Sequence, residues 1–103
     1  MSKTTDRMRA IHPGEVLHEE YLAPLDMSVH ALAMELGVPA TRLHEIVKER
    51  RSVSADTAER LARYVGGDAA NWLALQADYD LRTLPTRKDI ERKVPPPRGR
   101  RLI

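Results

Sequence analysis

The sequence predicts an all-α protein of five helices. Its apolar residues recur at spacings of three and four, as on one face of a helix, and no segment alternates for long enough to form a strand. Phe is absent, and there are only one Trp and three Tyr, so the core must consist of Leu, Ala, Val, Ile and Met, which suits packed helices. A chain of 103 residues is long enough for one small domain with a modest core.

The ends of the first two helices are marked by residues that favour helix boundaries. In the stretch HPGEVLHEEYLAPL, Pro13 fits the first helical position and Glu15 the first turn, where the helix dipole favours an acid. Pro24 then ends the first helix. Ser28 is a suitable N-cap for the second helix, and Gly37 is a suitable stop.

Three more helices follow at short intervals. Their predicted limits are Pro39 or Ala40 to Lys48 or Glu49 for the third, the cap Ser54 to Gly66 and Gly67 for the fourth, and the cap Asp68 to about Leu81 for the fifth. The domain therefore spans residues 11–82, after a flexible basic N-terminus of residues 1–10. Residues 83–103 form a basic, proline-containing, flexible tail, in which RKDIERKV can add a helical turn or two and VPPP favours an extended conformation.

The stretch LAMELGVPATRLHEIV contains two helices that only a short turn separates. Gly37 ends one helix and Pro39 lies at the start of the next, while Ala33 is small enough to let the two helices pack closely. This arrangement is typical of a helix-turn-helix, in which the first helix supports the second and the second enters the major groove of DNA. An ordinary helical hairpin has the same spacing and is the alternative at this point.

The second helix of this pair carries side chains suited to reading DNA. Arg42 can donate to guanine O6 and N7, and Glu45 can accept from a cytosine amine. Ala40 and Thr41 can contact a thymine methyl group. The residues predicted to bind DNA bases or phosphates are Ser28, Ala40, Thr41, Arg42, Glu45, Lys48, Arg50 and Arg51.

The charge of the chain is unevenly distributed, although its net value is only +2. Residues 82–103 carry eight basic residues and two acids, and residues 1–13 carry three basic residues and one acid, so these ends hold +6 and +2. Residues 14–81 consequently carry −6, and their six basic residues all lie between positions 42 and 63. An acidic body with one basic segment indicates two surfaces for two kinds of partner.

Residues 11–82 resemble the HigA antitoxin branch of the lambda-repressor-like (Xre) helix-turn-helix family. The matching stretches are HPGEVL in the first helix, LAMELGV in the second, RLHEIVKERRSVSADTAERLA across the third and fourth, and WLALQADYDL in the fifth. Relatives usually have an Asn-Gly-like turn where this sequence has Lys48 and Glu49. Because Glu49 cannot relax into a left-handed turn as glycine does, we expect this loop to differ in shape.

The resemblance implies an antitoxin of a type II toxin–antitoxin system. Such a protein would neutralise a RelE-like ribonuclease toxin and, as a homodimer, repress its own operon by binding double-stranded promoter DNA. A ribonuclease of this kind is expected to be basic because it binds RNA phosphates, so the acidic middle of this chain suits it. Glu15 and Glu19 on the first helix, both expected to be exposed, are candidate toxin contacts, although a solvated helix face is the simpler interpretation.

The fifth helix carries apolar residues with two possible roles. Trp72, Leu75 and Tyr79 lie at helical spacing, so this stripe either completes the core or forms a dimer interface. We expect Trp72 to lie in the core. We expect dimerisation in either case, because one recognition helix reads too few base pairs for operator specificity.

No pattern of catalytic or metal-binding residues accompanies these features. The four histidines lack zinc-like spacing, and Gly66-Gly67 lacks the lysine of a phosphate loop. We therefore expect no enzyme activity, no cofactor, no metal and no membrane partner, and the absence of cysteine fits a cytoplasmic location. The alternatives for function are a stand-alone Xre-type transcriptional regulator without a toxin, and a protein-interaction module that has lost DNA binding.

Overall fold

The computed structural model describes residues 9–97, which contain helices and no strand. Helix α1 comprises the α-helical residues Pro13–Leu17 and a π-helical continuation, His18–Leu22. The other helices are α2 Val29–Leu36, α3 Ala40–Val47, α4 Ala55–Val65, α5 Ala69–Arg82 and α6 Arg87–Lys93. The predicted all-α class is confirmed for this part of the chain, but the count of five is too low because RKDIERKV forms α6 inside the predicted tail.

The two ends of the chain are only partly described. The predicted flexible N-terminus falls mostly on residues 1–8, and the basic RGRR on residues 98–101, all of which lie outside the described residues. Within the described part, α6 buries no residue and VPPP is not helical. Arg87 donates to the carbonyl oxygen of Leu81, so the start of α6 is tied to the end of α5.

The predicted N-caps are present at three helices. Ser28 Oγ accepts from the amide of Ala31 at 3.0 Å, and Ser54 Oγ accepts from the amide of Thr57 at 3.2 Å. Asp68 Oδ1 accepts a corresponding bond from the amide of Ala70 at 3.1 Å. Each cap satisfies one of the amide groups that the first turn of a helix leaves without a partner.

Each helix of the hairpin is followed by a residue with positive φ. Gly37 after α2 has φ 72°, and Glu49 after α3 has φ 64°. At the end of α3 the amide of Arg50 donates to Glu45 O at 2.8 Å and the amide of Glu49 to Ile46 O at 2.9 Å, which is a Schellman motif. The expectation that Glu49 would not form a left-handed turn is therefore wrong. These two hydrogen bonds hold a conformation that glutamate adopts only at some cost.

The core is formed by aliphatic residues from the first five helices and the loops that join them. Its buried apolar residues are Leu17, Leu22, Leu32, Ala33, Leu36, Val38, Leu43, Ile46, Val53, Ala58, Leu61 and Trp72. Within the described residues, no helix is both long enough and apolar enough to cross a membrane.

Helix α1 lies directly against α3 at one glycine. A Cβ atom added to Gly14 would lie 1.9 Å from the carbonyl oxygen of Ile46, far inside any real contact distance. This close approach requires a residue without a side chain. The HPGE stretch therefore starts α1 and also allows α1 to pack closely against α3.

Candidate nucleic-acid interface

The site is built on the hairpin formed by α2 and α3. Ala33 and Leu36 of α2 and Leu43 and Ile46 of α3 are buried together in the core, and the turn between the helices contributes buried Val38. Burial of apolar surface on both helices fixes the angle between them. The opposite side of α3 consequently faces solvent in a fixed orientation.

The predicted DNA contacts divide into exposed and partly covered groups. Thr41, Lys48, Arg50 and Arg51 are exposed, so they are accessible to a duplex laid along α3. Ala40, in contrast, is partly buried and packs against the core. It is therefore less accessible to a thymine methyl group than its place in the sequence predicted. Ser28 is also exposed, but its hydroxyl is engaged as the α2 cap.

Two of the predicted base-reading residues are held by ion pairs. Arg42 Nη1 lies 3.7 Å from Asp56 Oδ2 at the start of α4, and only a third of the Arg42 side chain is exposed. Glu45 Oε2 lies 3.7 Å from Arg50 Nη1. The sequence predicted that Arg42 and Glu45 each contact a base, and the structure gives each of them an ion-pair partner from a later segment. Lys48 and Arg51 form no ion pair with any residue between 9 and 97.

Asp56 is a functional candidate that the sequence analysis missed. Its Oδ2 atom also accepts from Arg60 Nε at 2.8 Å, one helical turn further along α4. Arg60 in turn donates from Nη1 to Leu36 O at 2.8 Å, at the end of α2. The i, i+4 spacing of Asp56 and Arg60 was visible in the sequence, but their link to Arg42 and Leu36 depends on the tertiary fold.

His12 and Gln76 are buried polar residues that the sequence analysis also missed. His12 Nδ1 accepts from the amide of Gly14 at 2.8 Å and so caps α1, and its ring meets the Tyr79 ring edge-on at a centroid distance of 4.8 Å. Gln76 Oε1 accepts from the amide of Val53 at 2.9 Å, which anchors the loop between α3 and α4 to α5. The HPGE start was a signal for the His12 cap, whereas nothing local identified Gln76.

The environment of His12 disfavours its charged form. Burial lowers the pKa of the imidazole below its usual value of 6.5, and the negative charges of Glu49 and Asp80 offset this only in part. The hydrogen bond from Gly14 requires the unprotonated Nδ1 atom, which agrees with a neutral ring.

The two candidate toxin contacts differ from each other. Glu15 is not exposed as expected: its side chain is 14% accessible and pairs with both Nη atoms of Arg9, at 2.9 and 2.8 Å. Glu19 is exposed and lies 3.2 Å from His18 Nδ1. Both acids line a cleft with Lys48 and the end of α3, so they lie closer to the basic segment than their sequence positions indicated.

The fifth-helix stripe lies on the inner side of α5. Trp72 is buried and its ring lies 5.9 Å from the Tyr21 ring, while Leu75 packs against the core. Apolar side chains are exposed elsewhere towards the C-terminal end, namely Leu73, Leu81, Leu84, Ile90 and Val94. No cluster of His, Cys, Asp or Glu among residues 9–97 is arranged to hold a metal ion.

The sequence of this chain is similar to those of known helix-turn-helix proteins. Residues 19–70 match the model of the helix-turn-helix family. Virulence-associated protein I of Dichelobacter nodosus is 57% identical over 77 residues, which cover 75% of this chain and 71% of that protein.

Two solved structures of antitoxins with DNA share the fold. The Pseudomonas aeruginosa antitoxin HigA with the higBA promoter is 44% identical, with a TM-score of 0.82, and the match covers 85% of this chain and 98% of that chain. The antitoxin GraA in complex with its operator is 39% identical, with a TM-score of 0.79, and the match covers 92% of this chain and 93% of that chain.

Proposed function

This chain belongs to the helix-turn-helix family as a HigA-type, lambda-repressor-like member, and we propose that it is the antitoxin of a type II toxin–antitoxin system. In this proposal it represses its own operon by binding promoter DNA through α3. It also neutralises a RelE-like ribonuclease toxin. The observation that supports DNA binding is the fixed orientation of α3, which buries one side of the helix and exposes Thr41 on the other. Lys48 and Arg51 are exposed just after the helix ends.

The proposed DNA contacts have distinct tasks. Arg42 reads a guanine and Thr41 a thymine methyl group, because both lie in the first turn of the recognition helix. Lys48, Arg50 and Arg51 follow at its end, where exposed basic side chains can reach neighbouring phosphates. Operator DNA bound to similar HigA and GraA chains supports this assignment.

The toxin half rests on charge and on the family. Residues 14–81 carry −6, and an RNA-binding toxin is expected to present a basic surface. Glu19 is the better remaining candidate on α1, because Glu15 is largely covered and its carboxylate is already paired with Arg9. The exposed apolar residues near the C-terminal end of α5 and on α6 are a candidate surface for the homodimer.

Separate mutation of the two surfaces tests the proposal. The neighbouring gene is co-expressed with each variant, and toxin rescue, promoter repression and circular dichroism are measured. Arg42→Ala with Arg51→Ala should abolish repression but still rescue cells from the toxin. Arg51→Ala alone should weaken binding to all DNA alike and reduce the salt slope by about one.

Matched controls make both halves falsifiable. Arg63→Ala removes an exposed basic residue of α4 that lines a cleft with Glu35 and Leu36 of α2, and it should leave repression intact. Glu19→Lys should slow toxin association, with a defect that shrinks as salt increases. Full repression by the double arginine variant would contradict the DNA site, and normal toxin association by Glu19→Lys would move the toxin site off α1. Repression without toxin rescue by the wild-type chain would favour the stand-alone regulator.

A further inference from the structure

The side chain assigned to base reading is connected to two other helices. Arg42 projects from the first turn of α3, and Asp56 lies in the first turn of α4, with 3.7 Å between Nη1 and Oδ2. The same carboxylate oxygen accepts from Arg60 Nε, and Arg60 Nη1 donates to the carbonyl oxygen at the end of α2. The chain of contacts therefore runs from α3 through α4 to α2.

The Asp56 carboxylate is restrained by a second arginine, Arg60. Arg60 makes two hydrogen bonds of 2.8 Å, one to Asp56 and one to Leu36 O, so its guanidinium is fixed at both ends. A restrained carboxylate can hold a second guanidinium in one orientation more effectively than a freely rotating one. Arg60 is engaged in these two hydrogen bonds, whereas Lys48 and Arg51 form no ion pair within the part of the chain that the structure describes.

We propose that Asp56 is a positioning residue that determines the sequence specificity of DNA binding by orienting the Arg42 guanidinium. This inference rests on the proposed function, because it requires Arg42 to read a base. An arginine loses rotamer freedom when it contacts DNA, and a partner that already restricts it reduces this loss. A guanidinium has five N–H donors, so the contact with Asp56 leaves enough of them for a bidentate contact with guanine.

The charge of Asp56 contributes to specificity in a second way. The carboxylate is more than half exposed beside the recognition helix, where it repels DNA phosphates whatever the sequence. Repulsion that applies to all duplexes, combined with an attraction that only the correct base pair provides, increases the ratio of specific to nonspecific binding. Removal of Asp56 should therefore lower this ratio, because specific binding becomes weaker and nonspecific binding loses a repulsive charge.

The test is a double-mutant cycle on Arg42 and Asp56. Arg42→Ala, Asp56→Ala, Asp56→Asn and the combined Arg42→Ala, Asp56→Ala variant are titrated with operator DNA, with single-base-pair variants of the operator, and with an unrelated duplex. The base pair at which Arg42→Ala loses its preference identifies the contact. Glu59→Gln is the matched control, because it removes one exposed negative charge from the same helix.

We expect Asp56→Ala to reduce discrimination at that base pair about tenfold, within the range that one bidentate contact provides. Binding to the unrelated duplex should be unchanged or tighter. Adding Asp56→Ala to Arg42→Ala should cause no further loss of discrimination at that base pair, because the two residues act as one unit. Asp56→Asn keeps an oxygen that can accept from Arg60, so it is less prone to a folding defect, and it should show a smaller loss of base-pair discrimination. Glu59→Gln should discriminate between base pairs as the wild type does.

Three results would overturn the inference. If Arg42→Ala loses base preference while both Asp56 variants keep the wild-type discrimination, Asp56 does not position Arg42, although the proposed function stands. If the Asp56 variants bind all duplexes more weakly by one common factor, the role of Asp56 is purely structural. If Arg42→Ala itself leaves base preference unchanged, the base-reading role of Arg42 in the proposed function fails, and this inference fails with it.

Discussion

The two sides of α3 differ in what their residues contact. On the inner side, Leu43 and Ile46 are almost completely buried in the same core cluster as Ala33 of α2, and Gly14 of α1 lies against the Ile46 carbonyl. On the outer side, Thr41 is exposed, and so is Lys48, the residue that caps the C-terminal end of the helix. One helix of eight residues thus supports the fold with one face and presents side chains with the other. Substitutions on the inner side should change stability first, and those on the outer side should change DNA binding alone.

The largest effect is expected at the contact between α1 and α3. Gly14→Ala would place a methyl carbon 1.9 Å from Ile46 O, far inside the van der Waals contact distance, so the helices must separate. We expect a loss of about 3 kcal/mol in the free energy of unfolding, at the upper end of overpacking effects. Urea denaturation measures this loss. Glu20→Ala on the exposed part of α1 should change stability by less than about 0.5 kcal/mol, and an equal loss in both variants would contradict the close approach.

The contact between α2 and α3 should be the next most sensitive. Ala33→Leu adds volume between two packed helices and should cost about 1–3 kcal/mol. DNA affinity should also fall in the folded fraction, because the outer side of α3 is re-aimed. Met34→Leu is the matched control, since Met34 is the adjacent residue and is 70% exposed. Full operator affinity in folded Ala33→Leu would mean that the orientation of α3 does not depend on this contact.

A smaller effect of opposite sign is expected where α3 ends. Glu49→Gly relieves the left-handed strain, so it should stabilise the protein by roughly 0.5–1 kcal/mol, after allowing for the greater freedom of glycine in the unfolded chain. Glu59→Gly, inside α4, provides the contrast and should destabilise by about 1 kcal/mol. Thermal unfolding distinguishes the two. A destabilised Glu49→Gly variant would show that the Glu49 side chain contributes more than its backbone strain costs.

The last prediction concerns pH on the inner side. The lowered pKa of His12 means that the unfolded chain binds a proton more readily than the folded protein. Its contribution to stability is therefore complete above about pH 6.5 and is lost as the pH falls below that value towards the lower folded-state pKa. His12→Asn keeps an acceptor for Gly14 but cannot titrate, so its stability should depend less on pH in this window.

His30→Asn, at an exposed position on α2, is the control for this titration. It should retain the wild-type dependence of unfolding free energy on pH. If His12→Asn shows the same dependence as the wild type, the burial of His12 does not contribute to acid sensitivity.

Local chemistry in the sequence identified most of the helix boundaries. Ser28, Ser54 and Asp68 cap helices as predicted, and Gly37 ends α2, because capping and left-handed turns depend on residues adjacent in the chain. The same local reasoning failed at Glu49, where two backbone hydrogen bonds and the surrounding fold impose a conformation that the residue disfavours. The predicted turn or two of helix in RKDIERKV is confirmed, because α6 comprises seven residues.

The sequence by itself determined the all-helical class, the helix-turn-helix hairpin and the position of the basic segment, since each follows from periodicity, boundary residues or charge along the chain. Only the tertiary structure decided which side chains are available. In the fold, Glu15 is largely covered and paired with Arg9, and Ala40 packs against the core. Arg42 forms an ion pair with Asp56, a residue 14 positions further along the chain. Contacts of this kind depend on how helices cross, and the crossing is set by distant groups such as Gly14 and Ile46 O that no local pattern connects.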